Sequence, residues 1–288
     1  MAIFKIDLFK GIAPKLSARL LADGAAKTAV NCRLDSGDLV PIRGLSDITS
    51  TVESAGTENS LYKYDTVGGV DQWLRWDEDV DVVRSPVAGN TNNRVYFTGD
   101  SVDNMKPRVT KNTIAIGSGT VYPSASYRLG LPAPETAITS VVVGAAPASA
   151  DDEIKESRAY VYTFVTADGE EGPPSPPSAV FDLYPTSQTV NISSMVTAED
   201  ASYNVTHKYI YRTVTSTAGT SYMFVSSVVL SAATYSDSLT SLQLGGVLPS
   251  TDWVAPPEAM IGLTSLSNGI LAGFKDNEVM FCEPFMPH

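Results

Sequence analysis

The chain has 288 residues, of which 43% are hydrophobic and 18% are charged, so it carries enough apolar surface for a folded core and wholesale disorder is excluded. Its formal net charge of -12 disfavours a surface built to neutralise nucleic-acid phosphates or to bind an anionic membrane.

The residue types predict a mainly β fold, because β-branched and aromatic residues suit a pleated surface while glycine and proline punctuate turns. Charged residues interrupt the first eleven positions, which breaks any signal-peptide core, and no apolar run is long enough to span a bilayer. We therefore expect synthesis in the cytoplasm and no membrane partner. Cys32 and Cys282 lie near opposite ends of the sequence and are predicted to be buried free thiols.

The N-terminal region predicts a short helix that leads into a hairpin. In residues 16–34, apolar side chains recur at helical spacing after a possible cap at Ser17, although Gly24 weakens the pattern. In residues 31–44, Asp-Ser-Gly between two short apolar runs indicates a tight β turn.

Residues 61–98 are typical of three or four antiparallel strands. Turn signals recur about every ten residues, which is the spacing found in sandwiches, barrels and propeller blades. Residues 106–132 carry fewer regular signals and are predicted to be mostly irregular.

A proline-bracketed segment, residues 129–135, predicts a domain join. The sequence then divides into an N-terminal helix, hairpin and antiparallel blade region in residues 1–130, a β-sandwich in 131–250, and a return to the first domain in 251–288. The last segment predicts a hairpin that turns at Asp276 and has no obvious strand partner. We expect the native protein to continue beyond His288.

Catalytic patterns are sparse in this sequence. His207 and His288 are its two histidines, neither stands in a recognisable nucleophile arrangement, and His207 is predicted to be a surface or edge residue. Cysteine and histidine are too few and too scattered for zinc, and the glycine-containing residues 117–120 lack a Walker lysine. We predict no cofactor, no metal and no enzymatic activity.

Asp77, Asp79 and Asp81 recur at a spacing of two, so on a strand their carboxylates would share one face, with Glu78 opposite. Calcium could bind such oxygens, but the twelve-residue ligand loop with its central glycine is absent. A glycoside-hydrolysing pair would need a second group and a sugar-lined cleft. The favoured interpretation is a solvated acidic face, which suits the lining of a DNA conduit because negative charge repels phosphate.

Part of the sequence resembles a known module. Residues 158–178, with YVYTFVTADGEEGPPSPPS, look like the fibronectin type III-like modules of phage and bacterial proteins, and KYIYRT is similar to a later strand of that module. The resemblance implies a fibronectin type III-like β-sandwich that interrupts a partial propeller-like domain. Such modules serve as spacers and as adhesion units alike.

The flanking regions resemble tail and virion proteins of tailed bacteriophages. The similar stretches are GIAPKLSARLLADGAAKTAVNCRLDSGDLVPIRG, WLRWDEDVDVVRSP, RVYFTGD and NGILAGFKDNEVMFCEPFMPH. In that family the flanks form blades of a propeller-like tail nozzle, a ring of copies below the portal and adaptor through which the genome leaves.

This resemblance implies a ring-shaped homo-oligomer, such as a hexamer, within the virion. Its partners would be adaptor or portal-side proteins and tail fibres, and phage DNA would pass without sequence-specific binding. Asp77, Asp79 and Asp81 would then face the channel.

Two other functions stay open at this point. A receptor-binding or carbohydrate-binding tail module would use exposed aromatic residues such as Trp73, Trp76 and Trp253, although tryptophans in β proteins belong more often to the core. A carboxylate-dependent cell-wall or capsule hydrolase ranks last, and its turnover would be abolished by Asp79→Asn.

Overall fold

The computed structural model describes residues 9–33, 40–42, 58–67, 70–87, 89, 91–117, 123–149, 153–216 and 219–288. The protein is mainly β, as the sequence predicts. Its chain divides into two compact units, Met1–Thr49 and Ser50–His288, and each is described by itself.

The strands of the described residues are β1 (Cys32–Arg33), β2 (Val40–Pro41), β3 (Ser60–Val67), β4 (Val70–Trp76), β5 (Asp81–Arg84), β6 (Val95–Thr98), β7 (Arg108–Thr110), β8 (Tyr127–Arg128), β9 (Thr139–Val143), β10 (Glu156–Arg158), β11 (Tyr160–Thr166), β12 (Glu171–Pro174), β13 (Phe181–Leu183), β14 (Thr189–Ser193), β15 (Val205–Ser216), β16 (Gly219–Val229), β17 (Tyr235–Asp237), β18 (Ile261–Ser265), β19 (Leu271–Lys275) and β20 (Glu278–Phe281). Helical structure is limited to α1 (Asn112–Ala115) and to the 3-10 turns Ala18–Leu20, Ala201–Tyr203, Ser241–Gln243 and Ser267–Gly269 within these ranges.

In Met1–Thr49, the predicted helix over residues 16–34 is wrong, because the helical residues described there form only the 3-10 turn Ala18–Leu20. Gly24 has a φ of 84°, a left-handed value that interrupts an α-helix. Ala26 bonds through its backbone to Gly11 rather than to its own turn. The predicted hairpin is confirmed in its pairing, since β1 and β2 are antiparallel, but its Asp-Ser-Gly turn lies outside the described residues.

In Ser50–His288, three small sheets are packed in layers, and together they are called the layered region here. They are the hairpin β3–β4, the four-stranded sheet β5-β6-β7-β8 and the three-stranded sheet β18-β19-β20. β6 is buried on both faces: Val95 and Phe97 pack with residues of β3–β4, whereas Tyr96 packs with residues of β18–β20. This alternation follows from the two-residue repeat of a strand.

The antiparallel strands predicted for residues 61–98 are confirmed as β3 to β6. The described part of residues 106–132 has only the short β7, α1 and β8 as regular elements, which agrees with the mostly irregular prediction. The predicted C-terminal hairpin is confirmed as β19–β20, with Lys275 opposite Glu278, and its missing partner is β18.

Residues 139–237 contain three further antiparallel sheets, which are β12-β11-β15-β16, β17-β14-β9 and the two-stranded β10-β13. The first two are called the sandwich here. Tyr162 and Ile210 of the first sheet share one apolar cluster with Val190 and Ile192 of the second. The two sheets therefore pack face to face over a common core.

The four-stranded sheet of the sandwich is covered on its other face as well. Tyr211 and Val161 pack there with Leu248, which follows β16 and bonds to it through the backbone. Because both faces are covered, all seven residues of β11 are buried. This explains why the run YVYTFVT is nearly continuous in bulky residues instead of alternating.

The apolar clusters of the sandwich and of the layered region share no residue. Leu129 belongs to a cluster of the layered region and Leu131 to the sandwich core. Between them, Gly130 has a φ of 80°, and a Cβ there would lie 2.3 Å from Cδ of Pro256. The chain therefore passes between the two bodies at a point where two of its segments touch.

Cys32 and Cys282 are free, as predicted, but both are half-buried rather than buried. None of the helices in the described ranges is long and apolar enough to cross a bilayer.

Candidate functional site

The acidic triplet lies at a turn. β4 ends at Trp76 and β5 begins at Asp81, so Asp77 and Asp79 belong to the connection between two strands. The expectation of one strand face shared by three carboxylates is therefore wrong. Its physical reason is that the backbone groups of Glu78 and Val80 bond to the Ser60 hydroxyl instead of to the backbone of a neighbouring strand.

Backbone contacts fix this acidic turn. The Ser60 hydroxyl donates to the carbonyl oxygen of Glu78 and accepts from the N–H of Val80, both at 2.8 Å. Gly99 packs against the turn with a φ of 95°, and a Cβ there would lie 2.3 Å from the Asp79 carbonyl oxygen. The turn is thus held at a defined place on the layered region.

The three carboxylates have different surroundings. Oδ2 of Asp81 accepts the backbone N–H of Gly262 at 2.9 Å, which joins β5 to β18. Asp77 and Asp79 are exposed to solvent. Among the residues that the structure describes, no group of three His, Cys, Asp or Glu side chains is placed to hold a metal ion. The channel-facing role of the triplet stays a prediction.

The three tryptophans do not form one exposed aromatic surface. Trp76 is only 6% exposed and its ring packs tilted against Phe97, with 5.1 Å between the ring centres, so its expected exposure as a binding residue is wrong. Trp73 and Trp253 are half-buried. The ring of Trp253 lies edge-on to His288 at 5.5 Å.

Trp253 lines a cleft of about 660 Å³ beside the sheet β18–β20. Most of its wall is apolar, with contributions from Leu129, Met260, Leu263, Leu271, Met280 and Pro256. Burial, assisted by the positive charge of Arg94, lowers the pKa of His288 to about 4, so its imidazole is neutral at neutral pH. A cleft of this size and polarity can hold an apolar or ring-shaped group.

The sheet β18–β20 also has an apolar face on which three large side chains are exposed, although Ala272 on the same face is buried. Phe274 lies opposite Val279, and Ala272 lies opposite Phe281, so these side chains share one face. Phe274, Val279 and Phe281 are 42%, 63% and 64% exposed and define the uncovered face. Contiguous large apolar side chains at a surface mark sites of protein association.

Phe274 is held flat against its own sheet by a glycine. Gly262 has a φ of 69°, and a Cβ there would lie 2.2 Å from Cε1 of the Phe274 ring. The ring therefore occupies the space above Gly262 that a side chain would otherwise fill.

Sequence reasoning missed a group of buried charges inside the sandwich. Arg212 of β15 and Asp237 of β17 are fully buried and bond at 2.5 Å. The Tyr160 hydroxyl donates to the same carboxylate oxygen at 2.6 Å, and burial together with the Asp237 charge raises the pKa of this tyrosine. These contacts join the two sheets of the sandwich.

Lys208 is a second buried cation on the inner face of β15. It is 0% exposed, and its Nζ donates to the carbonyl oxygens of Val196 and Ala232 at 2.5 and 2.6 Å. Burial lowers its pKa to about 8. Because its partners are backbone oxygens of two loops, its observed role is to fix those loops.

His207 is exposed on β15, where its Nδ1 lies 2.9 Å from the Thr206 hydroxyl. The prediction of a surface histidine is confirmed. It does not lie on an edge strand, since β15 pairs with both β11 and β16.

No protein-family model matches this chain, and no curated protein is significantly similar to it in sequence. The class that the fold defines is a mainly β protein composed of small antiparallel sheets.

Proposed function

We propose that this protein is a non-enzymatic structural component of a bacteriophage tail, of the nozzle or tube type. Its copies associate as a ring that forms part of the DNA ejection channel. The observation that carries the proposal is the uncovered face, which ends a stack of small sheets with Phe274, Val279 and Phe281 exposed. The resemblance of the flanking sequences to phage tail proteins supports the same class.

The occupant that we propose for the uncovered face is a second copy of this chain. Covering a large apolar side chain contributes about 1.5–3 kcal/mol when burial is complete. In the layered region each sheet already packs on the next, and a further copy would continue that stack. Head-to-tail contacts of this kind close into rings when the rotation between copies permits.

The charge of the chain supports a channel role. Its formal net charge is -12, and Asp77 and Asp79 are exposed in the acidic turn. A negative wall repels phosphate, so DNA passes along it without sequence-specific binding. Adaptor or portal-side proteins and tail fibres are the proposed neighbours, and the virion is the proposed location.

Native mass spectrometry of the full chain tests the ring, and side-chain resolution imaging of the particle tests its place in the tail. We expect the wild-type protein to form closed oligomers and the Val279→Asp variant to be monomeric. The control is Val180→Asp, which introduces the same charge at an equally exposed valine of the sandwich and should leave the oligomer intact. A wild-type protein that stays monomeric and is absent from virions would contradict the proposal.

A second candidate function is favoured by the position of Trp253 in the cleft. We propose as the alternative that the cleft binds a sugar ring of a receptor or capsule glycan, with the indole as the stacking surface. Binding on a glycan array should be lost in Trp253→Ala and kept in Trp73→Phe. The absence of binding by the wild-type protein would exclude this alternative.

A further inference from the structure

The contact between the sandwich and the layered region is made of charges of opposite sign. The layered region supplies the cations, which are Arg94, Lys111 and Arg128, together with Lys106, which contacts the Tyr203 hydroxyl of the sandwich. The sandwich supplies the carboxylates that face them, which are Asp168, Glu170 and Asp200. The chain has a net charge of -12, so acidic residues outnumber basic ones, yet at this contact the cations lie on one side and the carboxylates on the other.

The first half of this contact is the turn between β11 and β12. Nζ of Lys111 donates to both carboxylate oxygens of Asp168, at 2.9 and 2.8 Å, and Arg94 pairs with Glu170. The Thr166 hydroxyl accepts the N–H groups of Asp168 and Glu170 at 3.2 and 3.1 Å, so the turn presents both carboxylates together.

The second half is the 3-10 turn Ala201–Tyr203. Nη1 of Arg128 donates to Oδ2 of Asp200 at 2.8 Å, and its guanidinium lies 5.2 Å from the centre of the Tyr203 ring. Lys106 donates to the Tyr203 hydroxyl at 3.4 Å. The N–H of Ala167 donates to the Asn204 carbonyl at 3.1 Å, which ties the two halves into one surface of the sandwich.

Separation of this contact would leave two of its cations paired. Arg128 also bonds to Asp103, and Lys106 also lies 3.3 Å from Glu258, and both of these carboxylates lie outside the sandwich. Water can solvate the remaining charges once the surfaces part. The apolar clusters on the two sides share no residue, so separation need not open either core.

The two ion pairs of the β11–β12 turn are largely shielded from solvent, and undocking returns both charges of each pair to water instead of leaving one of them buried and unpaired. The side chains of Arg94 and Glu170 are 13% and 11% exposed, and those of Lys111 and Asp168 are 15% and 14% exposed. Polar contacts between domains of one chain resemble transient protein interfaces, for which relative motion is the default.

We propose that these charges form an electrostatic latch: the sandwich undocks from the layered region as an intact body and docks again, while both bodies stay folded. Gly130, which lies between the core residues Leu129 and Leu131, and the chain segment 250–257 connect the two bodies and act as the hinge. This inference does not depend on the proposed tail function or on ring formation.

Hydroxyl-radical footprinting of the full chain tests the latch, because it reads the solvent exposure of individual side chains. In a double variant with Asp168→Lys and Glu170→Lys, four like charges would face each other across the turn. We expect the oxidation of Tyr203, which Lys106 and Arg128 cover in the docked state, to rise by about twofold or more, while Tyr162 in the sandwich core keeps its wild-type protection. Restored protection after the further changes Arg94→Glu and Lys111→Glu would assign the effect to charge pairing.

The matched control is Asp71→Lys, which replaces the ion pair that Asp71 forms with Lys63 at 2.8 Å inside the β3–β4 hairpin by two like charges. This variant should leave the oxidation of Tyr203 unchanged. Unchanged oxidation of Tyr203 in the double variant would overturn the proposal. An equal loss of protection at Tyr162 would overturn it as well, because the sandwich would then unfold rather than undock.

Discussion

Arg212 and Asp237 bond to each other across the two sheets of the sandwich, and neither side chain is exposed to solvent. Breaking a buried pair by removing one partner costs about 3–5 kcal/mol, because the other charge is left buried and uncompensated. We therefore expect Asp237→Ala to lower the free energy of unfolding by that amount, measured by urea denaturation.

The control for this prediction is Asp71→Ala, which removes an ion pair whose side chains are 53% and 32% exposed. Its effect should stay below about 1 kcal/mol. A double variant with Arg212→Met and Asp237→Leu should lose less stability than Asp237→Ala. Equal losses for Asp237→Ala and Asp71→Ala would contradict the prediction.

Lys208 makes the free energy of unfolding depend on pH in the alkaline range. Its pKa falls from 10.5 to about 8 on folding, so the folded protein favours the neutral amine. Stability is then greatest above the unfolded pKa and is lost as the pH falls through about 8, in total by about 3 kcal/mol. Lys208→Met removes this slope, so the difference between wild-type and variant stability should shrink as the pH falls from about 10.5 to about 8.

The same variant leaves the carbonyl oxygens of Val196 and Ala232 without their donor, at a cost of about 1–3 kcal/mol each. Lys208→Met should therefore be clearly less stable than the wild type at high pH and closer to it at neutral pH. Denaturant titrations at both pH values measure this, and a constant difference would refute the linkage.

Glu171 makes the free energy of unfolding depend on pH in the acid range, and here the stability falls as the pH rises. Burial raises its pKa above 4.5, and the hydroxyls of Thr163 and Tyr211, which donate to it at 2.7 Å, only partly offset this. A raised carboxyl pKa gives stability that is present below the unfolded pKa and is lost as the pH rises through the folded pKa.

We expect Glu171→Gln to remove this loss while still accepting both hydroxyls. The stability of the wild type relative to the variant should fall as the pH rises from about 4 towards neutral, measured by denaturation across that range. A rise of this difference with pH would contradict the assigned direction.

Alanine substitutions at Gly99 and Gly169 test how tightly Gly99 packs against the acidic turn. Both have left-handed φ values, 95° and 82°, so alanine is strained at either position by about 1–2 kcal/mol. At Gly99 a Cβ would also meet the Asp79 carbonyl oxygen at 2.3 Å, whereas at Gly169 no atom lies within 4 Å. Gly99→Ala should cost about 1–3 kcal/mol more than Gly169→Ala in thermal or urea unfolding, and equal costs would show that the turn yields.

The sequence predicted the strands well and the helix badly, for different reasons. Period-two patterns and turn residues located β3 to β6 and the hairpin β19–β20, because strand alternation is a local property. The apolar spacing in residues 16–34 suggested a helix, but the backbone of that stretch bonds to residues 11–13, which no local pattern reveals. A short isolated helix is marginal without a packed face.

The buried charges were hidden for a related reason. In the stretch KYIYRT, Lys208 and Arg212 alternate with Tyr209 and Tyr211, which suggests a charged solvent face and an aromatic core face. The structure covers both faces of β15, so the cations lie inside and pair with Asp237 or with loop carbonyls. The sequence did contain a sign of this, because large side chains occupy both the odd and the even positions of the strand. Such a pattern is typical of a sheet that is covered on both faces.

The contact of Gly130 with Pro256 brings the chain segments that enter and leave the sandwich side by side. When the two connections to an inserted domain lie next to each other, the domain can be removed or replaced without moving the chain on either side of it. The sandwich therefore meets the geometric condition for a domain that is exchanged as a unit while the strand pairing of the layered region is kept.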